Sequence, residues 1–300
     1  SDNPDNFLFP FMEGVIANLK TLGKIRTSET YAATLCSFRR FREDKDVPLD
    51  DMDSDMMMAY EAYLKINGVS PNSSSFYMRN LRAVYNRAVE KGLTSQRFPF
   101  KHVYTGVEKT VKRAVPLKVI KKIKEMDFSM NPSFDFARDM FLMSFYTRGM
   151  SFVDMAYLRK KDLQNGVLSY RRRKTGQQLF IKWEKCMQEI VNKYDTSQSN
   201  YLLPIIKPFG DIDERKQYIY AAHNINRCLK IIGKELGLSV SLTLYVARHA
   251  WASIAKSKNV PLSVISEGMG HDSEATTRIY LASLDTVAID KANSMILKSL

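Results

Sequence analysis

Leu242-Thr-Leu-Tyr-Val-Ala-Arg-His-Ala-Trp251, followed by Glu267-Gly-Met-Gly-His271 and then Arg278-Ile-Tyr280, is the densest run of polar and aromatic side chains in the chain. Tyr245 and Arg248 stand three residues apart, so in a helix they share one face. His249 follows directly and reads as a structural residue packed against a neighbouring helix, with an auxiliary place at the site as the alternative. About twenty residues later a Gly-Met-Gly turn delivers His271, and Tyr280 comes nine residues after that. Two cationic or imidazole groups, a turn and a tyrosine in this order suit chemistry on an anion.

Upstream of this stretch, Gly166 to Trp183 breaks the helical pattern. Val167 to Tyr170 and Leu179 to Ile181 flank a polar tip, Arg172-Arg173-Lys174-Thr175-Gly176-Gln177, which reads as a β-hairpin with Gly in its turn. Helical runs precede it, at Pro116 to Met126 and Phe134 to Tyr146. Others follow it, from about Met187, from Tyr220 to Gly237, and on to the C-terminus.

The first hundred residues carry helical spacing alone. One run covers Phe7 to Thr21. A second follows Ser28. A third is capped by Asp53, and a fourth opens at Pro71 and is closed by Gly92. Four short helices without strand patterns predict a small bundle. We therefore expect a mainly α chain with a small β-hairpin or sheet (α+β). Residues 1–105 form the helical unit, 106–116 a basic linker with Lys109, Lys112 and Arg113, and 117–300 a second, mixed domain.

The charge is distributed to match. The chain of 300 residues carries 45 Lys and Arg against 32 Asp and Glu, a formal +13. The first 105 residues hold 14 basic and 13 acidic side chains, leaving 31 and 19 for the remainder. A one-sided excess points to a polyanionic partner. Arg171, Arg173 and the linker cations are the candidate backbone contacts. No run approaches the ~18 apolar residues that span a bilayer, and the N-terminus lacks the layout of a signal peptide. The three cysteines fit neither a disulfide framework nor a zinc site, which fits a reducing, cytoplasmic setting.

Taken together, the motifs resemble the C-terminal signature of the tyrosine recombinases, the phage-integrase family: His-x-x-Arg-His, then Leu-Gly-His, then a nucleophilic tyrosine eight to ten residues on. Arg248-His249, Gly270-His271 and Tyr280 match in order and spacing, and the Arg-Lys-Thr-Gly hairpin resembles the family's β-hairpin lysine motif. The resemblance implies that Tyr280 is the nucleophile, forming a covalent 3′-phosphotyrosine. It implies that Lys174 is the acid for the departing 5′-oxygen, and that Arg248, His271 and Tyr245 act on the phosphate. Tyr245 stands where the family has its first His, so it can donate a hydrogen bond there but cannot act as a base near neutral pH.

The family's first arginine lies in Thr-Gly-x-Arg-x-x-Glu. Here the segment is Arg148-Gly149-Met150-Ser151-Phe152-Val153-Asp154, with Leu158 following, and the arginine slot falls on Ser151. Such Arg-Gly-Met-Ser segments resemble those of integrases from Bacteroidetes mobile elements. Arg148, one helical turn from Ser151, is the favoured substitute, and Arg172 on the hairpin is its rival.

The resemblance further implies a C-shaped clamp on double-stranded DNA, a homo-tetramer on paired sites, and neither metal nor any other cofactor. The stretch Val287 to Leu300 is amphipathic; the resemblance implies that such a tail docks on a neighbouring subunit, and folding back on its own domain is the alternative. Nucleoid-associated DNA recombination or integration is the function expected. A catalytically silent DNA-binding relative and a type IB-like nicking-closing topoisomerase are the alternatives.

Overall fold

The computed structural model describes residues 4–108, 114–208, 210–282 and 293–299; the side chains of Asp5, Ile279, Tyr280 and Ala282 are outside the description. The linker residues Lys109, Lys112 and Arg113, and residues 287–292 of the tail, therefore lie outside the described residues. Within the tail, Met295, Ile296 and Leu297 are exposed. The chain divides into two compact units, Ser1–Thr110 and Val111–Leu300.

The first unit is a bundle of α1 (Leu8–Thr21), α2 (Ile25–Phe41), α3 (Ser54–Ile66) and α4 (Pro71–Glu90). Helix α3 starts where Asp53 accepts the Met56 amide at 2.8 Å. Helix α4 starts where Ser70 caps and Pro71 fills the first turn. Helix α2 begins three residues before Ser28, which is fully buried inside it and donates its hydroxyl to the Ile25 carbonyl. Phe38, Met57, Tyr60, Met78, Leu81 and Tyr85 bury completely between the helices.

In the second unit, α5 (Leu117–Glu125) turns Val119, Ile120 and Ile123 inward and its lysines outward. Helix α6 (Pro132–Tyr146) is buried nearly all round through Ala137 to Ser144 and packs against α9 (Glu214–Glu235) and α10 (Leu244–Ser257). A five-residue helix, α7 (Phe152–Ala156), follows α6.

The hairpin belongs to a three-stranded antiparallel sheet in the order β1 (Leu163–Gln164), β2 (Val167–Arg171), β3 (Gln178–Lys182). The pairs Leu168–Ile181 and Tyr170–Leu179 face the core, while Ser169 and Phe180 lie on the other face. Helices α8 (Lys185–Asn192), α11 (Leu262–Met269) and α12 (Glu274–Ala282) complete the unit. Helix α9 begins at Glu214, six residues before the apolar pattern, because Asp213 caps it and accepts the Lys216 amide. No helix among the described residues is long and apolar enough to cross a membrane.

Candidate active site

A cleft of about 550 Å³ opens in the second unit, walled by the hairpin turn, the start of α7, α9, α10 and the turn from α11 to α12. Ser151, Arg172, Lys174, Tyr245, Arg248 and His271 all line it, although they span 121 positions of sequence. The fold brings them together through main-chain carbonyls. The guanidinium of Arg248, 7% exposed, donates from Nη1 to the Gly149 carbonyl and from Nη2 to that of Met269, each at 2.8 Å. It thereby joins α10 to the turn between α6 and α7 and to the end of α11.

Gly149 lies so close to α10 that a Cβ on it would stand 2.6 Å from the Arg248 Cα, and its φ of +72° suits glycine. Arg172, equally buried, donates from Nη1 to the Gly270 carbonyl at 2.6 Å, and the Thr175 hydroxyl reaches the same oxygen at 3.3 Å. The hairpin tip is thus fastened to the residue just before His271.

Gly270 ends α11 in the left-handed conformation, and the His271 amide closes back on the Ser266 carbonyl. This aims the imidazole into the site, where Nδ1 lies 2.6 Å from the Thr277 hydroxyl of α12. Burial pushes the His271 pKa down to about 4, and the positive charges of Arg248, Arg172 and Lys174 push in the same direction. The imidazole is neutral at neutral pH, and the field around it is positive. Tyr245 is exposed at the rim of the cleft and its ring meets that of buried His249 edge to face, 4.4 Å between centroids.

Arg148 is placed differently. The segment between α6 and α7 is not helical, so Arg148 does not stand one helical turn from Ser151. Arg148 and Gly149 both have positive φ, +63° and +72°. That pair of left-handed residues reverses the chain and sends the Arg148 side chain toward the sheet, where Nη2 donates to the Phe180 carbonyl of β3 at 2.7 Å. Ser151 caps the start of α7 and donates its hydroxyl to Asp154 at 2.7 Å. Arg171 folds back onto the Gly176 carbonyl, and the Arg173 guanidinium stacks 3.8 Å over the Tyr157 ring.

Tyr280 lies on α12, three residues beyond Thr277. Sequence reasoning missed Thr277, fully buried at the heart of the site, and Thr175; a lone threonine carries no signal that separates it from any helix or turn residue. Among the described residues, no group of three His, Cys, Asp or Glu is placed to hold a metal ion.

Family models match both units: a phage integrase SAM-like domain over residues 7–103 and the phage integrase family over residues 117–286. The chain belongs to the phage integrase family. It is a tyrosine recombinase, an enzyme of site-specific DNA recombination. This integrase is 22% identical over 228 residues to the tyrosine recombinase XerA of Pyrococcus furiosus, covering 74% of each chain.

Its fold is similar to that of lambda integrase in a dimer bound to a core site, with a TM-score of 0.69, 16% identity, and 91% and 95% of the two chains covered. It is similar also to the XerH recombinase in a post-cleavage complex, with a TM-score of 0.65, 17% identity, and 94% and 83% covered. The Tn1549 transposon integrase bound to a circular intermediate DNA gives a TM-score of 0.61, with 15% identity and 90% and 94% covered.

Proposed function

We propose that this integrase, in the cytoplasm, cuts and rejoins double-stranded DNA in its cleft as follows. A backbone phosphate enters beside Arg248, Arg172, His271 and Lys174. The Tyr280 oxygen attacks phosphorus as its phenolic proton passes to water, the bond to the 5′-oxygen breaks, and Lys174 gives that oxygen a proton. The 3′-phosphotyrosine retains the bond energy, so attack by a 5′-hydroxyl from a partner strand reverses the same steps. Arg248 and Arg172 stabilise charge on the non-bridging oxygens. Tyr245 and neutral His271 hydrogen-bond to the phosphate.

The observation that carries this reading is the convergence of Arg172, Lys174, Arg248 and His271 on one cleft. The same observation favours Arg172 over Arg148 as the second cation, since Arg172 lines the cleft while Arg148 is tied to β3. Lys109, Lys112 and Arg113, with any exposed reach of Arg171 and Arg173, add phosphate contacts along the duplex. Strand exchange takes place in a homo-tetramer on paired sites, and the DNA is that of a mobile element.

A nicked suicide substrate tests the reading. The wild-type protein should trap covalently at one sequence, and Tyr280→Phe should bind with nearly unchanged affinity and trap nowhere. Trapping at many sequences would indicate a nicking-closing topoisomerase, and no trapping by the wild type a silent DNA-binding relative. A detergent-resistant complex with Tyr280→Phe would remove Tyr280 as the nucleophile.

A further inference from the structure

We propose that Asp154 is a positioning residue for Lys174, holding the hairpin turn at the height the acid needs. The proposal rests on the assignment of Lys174 as the acid that protonates the leaving oxygen.

Asp154 is 4% exposed, and both its oxygens are engaged. Oδ2 accepts the Ser151 hydroxyl at 2.7 Å, and Oδ1 accepts the Arg173 amide at 3.0 Å. Arg173 directly precedes Lys174. The turn satisfies its own ends: the Arg172 amide donates to the Gln177 carbonyl and the Gly176 amide to the Arg172 carbonyl, with Gly176 at a φ of +73°. The Arg173 amide is not part of that closure, and the carboxylate takes it up. A hydrogen bond from a main-chain amide to an ion is among the stronger kinds.

Two further contacts fix the same turn. The Arg173 guanidinium lies over Tyr157, the residue that ends α7, and the Arg172 and Thr175 side chains hold the Gly270 carbonyl. Asp154 sits on α7, so the short helix grips the turn by an amide on one side while the α11 terminus grips it by side chains on the other. Lys174 itself is exposed and has four rotatable bonds. Its amine reaches the leaving oxygen in a productive pose only if the backbone beneath it is fixed.

The test uses the full-length protein and two DNA substrates, one with an ordinary scissile phosphodiester and one with a 5′-bridging phosphorothiolate, whose thiolate leaves without an acid. Single-turnover cleavage of both is measured on one preparation of each variant, so misfolded protein cancels in the ratio. Asp154→Ala should slow the ordinary substrate by about 10- to 100-fold, within the range of a general acid's contribution. On the phosphorothiolate it should cleave close to the wild-type rate, as Lys174→Ala should. The double variant should be no slower than Lys174→Ala alone.

Asp154→Asn keeps a carbonyl oxygen for the Arg173 amide and should restore most of the loss. If the alanine protein does not fold, Asp154→Gln, which keeps a polar group at the wrong reach, takes its place in the comparison. Equal slowing of both substrates by Asp154→Ala while Lys174→Ala is rescued would overturn the positioning role alone. Failure of the sulfur substrate to rescue Lys174→Ala would overturn the acid assignment, and the positioning role with it.

Discussion

In the first unit, interior polar side chains find one another. Asn80 donates to Thr34 at 3.0 Å, and Ser37 and Tyr60 share a hydrogen bond of 2.6 Å. In the second unit, buried guanidinium groups reach for the main chain. Arg248 holds Gly149 and Met269, and Arg172 holds Gly270.

The second unit also contains the opposite arrangement. Arg138 lies between Asp135 and Asp139, and Lys193 bridges both carboxylates at 2.7 Å. There a buried cation is neutralised and the result is structural. Carbonyl oxygens satisfy the hydrogen bonds of a guanidinium without cancelling its charge. Burial is the larger cause of the depressed His271 pKa, and the field that remains pushes it in the same direction. Neutral pairs pack a bundle, compensated ions brace α6 against α8, and cations held by carbonyls leave a site prepared for a phosphate.

The sharpest attack on this comparison is at two glycines that share a φ of +72°. Gly149→Ala drives a methyl into the α10 backbone at Arg248 and should cost about 4 kcal/mol or more, along with all cleavage. Gly92 in the bundle faces open space, so Gly92→Ala should show only the left-handed penalty, about 1 kcal/mol. Urea unfolding of both variants measures the difference, and similar values would dissolve the contrast between the two units.

Next in size, Arg172→Ala should slow single-turnover cleavage by about 10²- to 10³-fold. Arg148→Ala should slow it less than about 10-fold and lower stability by about 1 kcal/mol, the worth of its bond to Phe180. The reverse order would return the second cation to Arg148.

His271 supplies a smaller, pH-dependent effect. Its folded pKa of about 4 lies below the ordinary 6.5, so the unfolded chain takes up the proton first. The stability this group contributes is present above pH 6.5 and is lost as pH falls toward 4, by at most about 3 kcal/mol. The stability difference between the wild type and His271→Asn, followed by urea unfolding from pH 7.5 to 4.5, should move in that direction. A difference that stays flat would mean that neither burial nor the positive field acts on His271.

Legibility in the sequence follows the same division. Helix α4 was readable because Pro71 opens it, Gly92 closes it and its apolar residues repeat at helical spacing. The hairpin was readable from alternating strands around Lys174-Thr175-Gly176. Helix α7 was not, because five residues are too few to show a period. Strand β1, two residues long, gave no pattern at all.

At the site, spacing singled out Arg248 and His271 because each stands in a recognisable local motif. The choice between Arg148 and Arg172 turned on helical spacing assumed between residues 148 and 151. Helix α6 stops at Tyr146, and two left-handed residues redirect the chain. The carbonyl anchors of the cations leave no trace in residue spacing, because they join segments up to 99 positions apart, and the Thr277 partner of His271, six positions on, reads like any other helix threonine.

Thr277 and Tyr280 ride on the same helix, one turn apart, and Thr277 is the neighbour that orients His271. Withdrawing α12 as a rigid body would therefore move two groups at once: Tyr280 would leave with it, and the imidazole would lose the Thr277 hydroxyl. On the reading proposed for Tyr280, seating that one helix sets the attacking oxygen and the histidine together.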